Sequence, residues 1–119
     1  MTNATRAVGE YGERVAARHL TDAGLVILDR NWRCALGELD IVARDGTVVV
    51  FCEVKTRRGG RFGEPVNAVV PSKARRLRRL AAEWLGAAGV RADEVRFDVV
   101  SVLAPRRGAA EVEHLRGVL

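Results

Sequence analysis

The sequence predicts an α/β fold in the order αβββαβ: a mixed central sheet, made of a three-strand antiparallel meander plus a parallel fourth strand, flanked by helices. Three observations carry that reading. Val48, Val49, Val50, Phe51, Cys52 and Val54 form an apolar run on both parities, as expected of a central strand buried on both faces. Asp45-Gly46, just ahead of it, is a strong short-range hairpin signal. Two stretches of helical periodicity bracket the hairpin, near Ala4–Ala23 and from Ser72 to about Ala88.

The chain of 119 residues reads as one domain with room for a real core. It is 48% hydrophobic and 29% charged, an ordinary globular balance. Its net charge of +5 favours a polyanionic partner. Of its 20 basic residues only Lys55 and Lys73 are lysines. Arginine is a fixed planar fork, whereas lysine is a compact, tunable charge, so those two positions read as places where arginine would not serve. No apolar run approaches the length of a membrane span, and no signal peptide is recognised at Met1–Val8. With two cysteines, Cys34 and Cys52, the expectation is a cytoplasmic protein with free thiols. A zinc site from Cys34, Cys52, His19 and His114 lacks recognisable ligand spacing.

In the first helix Val8, Gly12, Val15, Ala16, His19, Leu20 and Ala23 form the inward stripe, with Gly24 as its stop. Gly9 and Gly12 lie on or beside the stripe and would allow close approach to a sheet. Glu13 lies at the stripe's edge, where it either reaches over the sheet rim or stays solvated. The first strand starts at Leu25 and extends through Trp32-Arg33, with Arg30, Asn31 and Arg33 as polar interruptions. A turn at Ala35-Leu36-Gly37 leads into the hairpin, so three strands follow with short turns.

Lys55 is followed by a loop rich in glycine and arginine, from Thr56 to Pro65. Its Arg57, Arg58 and Arg61 are suited to phosphate contact. Ser72 is the expected N-cap of the second helix, with Leu77, Leu80, Ala81, Trp84, Leu85 and Ala88 inward. Arg75, Arg76 and Arg79 point away from that stripe, as a DNA-backbone patch or a solvated face. Lys73, near the helix start, runs against the preference for acids there. Val95–Leu103 reads as a strand parallel to the third, because a helix intervenes. Asp98 within it calls for a buried partner. Glu111–Leu115 reads as a short edge strand.

A hairpin symmetric about Asp45-Gly46 sets Glu38 opposite Glu53 and Asp40 opposite Phe51. Alternation then puts Asp40, Phe51, Glu53 and Lys55 on one face. Asp40 and Glu53 become diagonal neighbours roughly 7–8 Å apart, a gap their side chains can close. Two converging carboxylates repel unless a proton or cation lies between them. Oxygen ligands with open positions suit Mg²⁺ or Mn²⁺. With Lys55 beside them to orient water or phosphate, the pattern points to a metal-dependent phosphodiesterase.

The chain also resembles a known family. The residues that carry the likeness are Gly12-Glu13, Arg30-Asn31-x-Arg33, Gly37-Glu38-Leu39-Asp40, Glu53-Val54-Lys55-Thr56-Arg57, Phe62-Gly63-x-Pro65, Lys73 and Arg96-Phe97-Asp98-Val99-Val100. Together they look like the YraN-like family of the PD-(D/E)xK superfamily, whose fold is restriction-endonuclease-like and whose members include Holliday junction resolvases. Leu39 stands where the superfamily name has proline. The resemblance implies a Mg²⁺- or Mn²⁺-dependent DNA endonuclease, selective for branched DNA. It implies catalytic Glu13, Asp40, Glu53 and Lys55, a metal held by Asp40, Glu53 and the Val54 carbonyl, and a phosphate contact at Lys73. A two-fold dimer would follow from symmetric cutting. No small-molecule cofactor and no membrane partner is expected. The alternative is a nucleic-acid-binding module that keeps the fold without turnover.

Overall fold

The structure is a computed structural model that describes residues 3–58 and 71–118. Its elements run α1 (Asn3–Asp22), β1 (Val26–Cys34), β2 (Gly37–Asp45), β3 (Val48–Arg58), α2 (Pro71–Ala88), β4 (Glu94–Ala104) and β5 (Glu111–Leu115). One five-stranded sheet has the order β1-β2-β3-β4-β5. Its pairs are antiparallel except β3–β4, which is parallel, as a connection through a helix requires. The expected αβββαβ core is present, and β5 is the edge strand at Glu111–Leu115.

The apolar run of β3 serves both faces of the sheet. Val50 and Cys52 pack with Ala16, Ala17 and Leu20 of α1 and with Val100 and Val102 of β4. Val49 and Phe51 pack with Leu80, Ala81 and Trp84 of α2. On that second face Phe51 meets Trp84 edge to face at 5.9 Å and stacks on Phe97 at 5.6 Å. Trp84 Nε1 also donates to Asp29 Oδ2 at 2.9 Å, satisfying the indole N–H of a buried ring. Between Ile27 and Asp29 the β1–β2 register shifts by a residue.

Several sequence expectations are corrected. The hairpin turn is Gly46-Thr47, not Asp45-Gly46, because Asp45 pairs with Val48 and Gly46 takes the positive φ of 62° that a two-residue loop requires. The register moves accordingly: Val42, not Asp40, faces Phe51. Helix α2 begins at Pro71, so Ser72 lies inside the first turn rather than capping it; proline's fixed φ suits the first helical position. Ala88, at the end of α2, is exposed. Gly9 has no atom near enough for a Cβ to touch, so it is not a point of close approach.

Gly12 is such a point. A Cβ there would lie 2.7 Å from the Thr56 Cβ on β3. The missing side chain lets α1 lie directly on the strand and brings the next residue, Glu13, to the sheet rim. Gly12→Ala is therefore expected to lower stability by about 1–3 kcal/mol in thermal unfolding. Adding Thr56→Gly should recover part of the loss; if Gly12→Ala is neutral, the helix is not seated by this contact.

Candidate functional site

The regular ladder breaks where the acids gather. Pairing of β2 with β3 reaches only as far as Ile41 with Cys52. In β1 Asn31 adopts φ 54°, a left-handed conformation that asparagine tolerates better than most residues. Opposite it, the alternation of β2 is interrupted: Leu39 packs with α2, whereas Ile41 packs with α1. Asp40 occupies the crossover between the two faces. The Val54 amide donates to Asp40 Oδ2 at 2.8 Å, a side chain replacing the backbone partner at the end of the ladder.

Glu13, Glu38 and Asp40 each bring a carboxylate oxygen to a common point, all within 4.8 Å of one another. All three are half-buried. Burial, reinforced by the charges of Glu13, Glu53 and Glu38, lifts the Asp40 carboxyl to about 6 despite its hydrogen bond from Val54. Glu13 is raised too, chiefly by burial and secondarily by Glu38 and Glu10, against a hydrogen bond from Asn31 and the charge of Arg30. Arg33 Nε contacts Glu38 Oε2 at 3.2 Å. The polar interruptions of β1 thus surround the acids: Asn31 and Arg30 act on Glu13, and Arg33 on Glu38.

Two hollows meet at this cluster. On the α1 side a groove of about 1120 Å³ is lined by Glu13, Asn31, Arg33, Glu38, Thr56 and Arg58, among others. On the α2 side a cleft of about 240 Å³ is lined by Glu38, Asp40, Glu53, Lys73, Arg76 and Leu80, among others. Glu38 borders both.

Glu53 shares the smaller cleft with Asp40 but forms an ion pair with Lys73. That pair occupies one carboxylate oxygen, while Glu53 Oε2 is buried with no hydrogen-bond partner among the described residues. Lys55 is half-buried on β3 beside Ser101 of β4 and lines neither hollow. The acids are therefore brought together around Asp40, with Glu13 and Glu38 on one side and Glu53 on the other. Glu38 belongs to the cluster although it is not among the expected site residues; its one signal in the sequence is position, two residues before Asp40 near the start of β2. Thr56, Arg57 and Arg58 belong to β3 rather than to the expected loop, because the parallel ladder with β4 continues to Arg58, and the rest of that loop, Arg61 included, lies outside the described residues; Arg58, Arg75, Arg76 and Arg79 are exposed and Arg57 is half-buried.

Asp98 has the buried partners its position called for. Arg96 Nε and Nη2 donate to its two oxygens at 2.9 and 3.0 Å, His114 Nε2 is 2.7 Å from Oδ2, and the Gly117 amide donates at 2.9 Å. Arg96 Nη1 also reaches Asp45 at the hairpin's end, at 3.0 Å. His114 is thereby committed to Asp98, and burial, with the Asp98 charge adding to it, raises the Cys52 thiol. The described residues contain no grouping of Cys34, Cys52, His19 and His114 that could hold zinc. No described helix is long and apolar enough to cross a membrane.

Fold and site together define a mixed α/β protein with clustered carboxylates at the sheet rim, edged by guanidinium groups. The chain belongs to the Uncharacterised protein family UPF0102, whose profile matches residues 12–102. It is 60% identical over 118 residues to a UPF0102 protein of Streptomyces coelicolor, covering 98% of this chain and 91% of that one. It is 61% identical over 112 residues to a UPF0102 protein of Beutenbergia cavernae, with 94% and 95% covered. A UPF0102 protein of Kineococcus radiotolerans is 59% identical over 113 residues, with 94% and 93% covered.

Proposed function

We propose that this protein is a metal-dependent DNA endonuclease that hydrolyses phosphodiester bonds, a YraN-like member of the PD-(D/E)xK superfamily with a preference for branched DNA. The observation that carries the reading is the meeting of Glu13, Glu38 and Asp40 within 4.8 Å, beside a Glu53 oxygen buried without a partner among the described residues. Gathering so much negative charge is costly unless a cation balances it. An all-carboxylate donor set is hard and oxygen-rich, which fits Mg²⁺ or Mn²⁺.

Asp40 would be the central ligand, approached by Glu13 and Glu38 from the groove and by Glu53 from the cleft, with the Val54 carbonyl completing the set. A cation held there supplies Lewis-acid neutralisation of phosphate charge and acidifies water. Lys73, now paired with Glu53, is suited to exchange that carboxylate for a phosphate oxygen as DNA enters. Lys55 would orient the attacking water or the phosphate. Arg58, Arg75, Arg76 and Arg79 would hold the DNA backbone, a salt-sensitive contribution. Two symmetric cuts in a four-way junction would take a two-fold dimer.

The test is cleavage of a synthetic four-way junction and of a linear duplex of matched sequence, with Mg²⁺, Mn²⁺ or EDTA. Nicking of the junction with either ion, and none in EDTA, is expected. Cleavage that persists in both Asp40→Ala and Lys55→Ala removes this site from consideration. The Glu53–Lys73 pair favours a second reading, a module that binds without turnover, since it neutralises one acid internally. That reading expects no cleavage with either ion, and binding that weakens with salt and on neutralising Arg57, Arg75 and Arg79.

A further inference from the structure

A third hollow, about 620 Å³, lies beside the acidic groove and shares only Arg58 with the residues given a role so far. Ala7, Val8, Tyr11, Arg58, Pro105 and Arg106 line it, with Ala104. It opens where β3 and β4 end in parallel, since Arg58 and Ala104 are the last pair of their ladder. The carboxyl ends of parallel strands are the usual place for ligands in open α/β sheets. Val8 and Arg58 also line the acidic groove, so the two hollows adjoin.

Their chemistry differs. The groove mixes Glu10, Glu13 and Glu38 with Arg6, Arg33 and Arg58, whereas the charges lining this hollow among the described residues are two arginines, Arg58 and Arg106, and no acid. Its walls add one aromatic ring, Tyr11, and small apolar side chains. A ring with flanking guanidinium groups suits a nucleobase stacked face-on and a phosphate at its edge. Neighbouring base pairs in an intact duplex leave no ring face free, so such a hollow takes an unpaired nucleotide.

We propose that this hollow binds an unpaired nucleotide next to the scissile site, the base on Tyr11 and its phosphates on Arg58 and Arg106. The inference rests on the nuclease reading for the meaning of the adjoining groove. It names the substrate class more narrowly: DNA with a single-stranded arm leaving a duplex.

The experiment measures binding of the full chain in EDTA by fluorescence anisotropy, so that it stands apart from cleavage. The probes are a labelled fork with oligo-dT arms and a blunt duplex of the same paired length. The fork should bind more tightly. Tyr11→Leu should weaken the fork by roughly 5- to 100-fold while leaving the blunt duplex unchanged, and Tyr11→Phe should restore the preference. Arg106→Ala should flatten the salt dependence on the fork alone. Equal affinity for fork and duplex, or a Tyr11→Leu loss shared by both, overturns the proposal. Displacement of the fork by free thymidine monophosphate at matched nucleotide concentration would also overturn it, reassigning the hollow to a small nucleotide. Should cleavage fail on every substrate while the fork preference and its Tyr11 dependence hold, the nuclease reading falls and this one survives as a binding site.

Discussion

Asp40→Asn is expected to make the metal-free protein more stable and to reduce divalent-ion-dependent cleavage by at least about 100-fold. Asparagine keeps an oxygen that can accept the Val54 amide hydrogen bond but removes a half-buried charge lying among three other carboxylates. The pH dependence gives the prediction its sign. The Asp40 carboxyl titrates at about 6 in the fold, above its ordinary 3.8, so folding favours its protonated form. Its favourable contribution is complete below about pH 4 and is lost as pH rises through 6. The advantage of Asp40→Asn over wild type should therefore grow between pH 4 and 7, reaching on the order of 3 kcal/mol. Mg²⁺ or Mn²⁺ should raise the wild-type melting temperature at pH 8, do so much less at pH 5, and leave Asp40→Asn unmoved. A variant less stable than wild type at pH 8, or one that keeps the full ion-induced shift, would show that the acids are held by something other than a cation.

Asp98→Ala should be the most damaging single change outside the site, costing about 3–5 kcal/mol, with chemical denaturation as the measurement. The side chain is fully buried, and its loss strands Arg96 and His114 without their shared anion. It also frees Gly117 and loosens the link through Arg96 to Asp45, so the C-terminal residues and the β2–β3 hairpin lose one common tether. Burial by itself would raise the Asp98 carboxyl. The hydrogen bonds from His114, Arg96 and Gly117, with the Arg96 charge, outweigh it and hold the group at about 2. A carboxyl depressed from 3.8 contributes stability above about pH 4 and surrenders it as pH falls through 2, a contribution of about 2 kcal/mol. Asp98→Asn should flatten the acid limb of the stability curve in that window. A neutral effect of Asp98→Ala at pH 7 would contradict the tether.

Much of the fold was legible because its signals are local. The double-parity run of β3 announces a strand covered on both sides, and both helices cover it. Asp98 announces a partner because a carboxylate inside an apolar strand demands one. His114 was not legible as that partner, since it lies on β5 and only the β4–β5 register sets it opposite Val100, next to Asp98. Within the site, Glu13 and Asp40 were readable as candidates from position. Asn31, Arg33 and Glu38 were not, because Asn31 acts from a left-handed conformation in β1 and the Arg33–Glu38 pair is set by the β1–β2 register.

The hairpin register decides which residues of β2 and β3 face one another. Aspartate-glycine is a common turn pair, but here glycine opens the loop instead of closing it, and the ladder shifts by two residues. A shift by two preserves parity, so the paired residues from Ile41 to Asp45 keep their faces while their partners change. Beyond the end of that ladder, Glu53 pairs with Lys73 of α2 and Asp40 accepts from the Val54 amide.

By itself, then, the sequence determined the order of elements, the buried centre of the sheet and the residue types able to hold a cation, because periodicity and apolar runs are properties of neighbouring residues. Only the tertiary structure decided which acids meet. That depends on the Gly12–Thr56 contact that seats α1, the point where β2 changes face and the exact partner of each ion, all set by packing between residues distant in the chain.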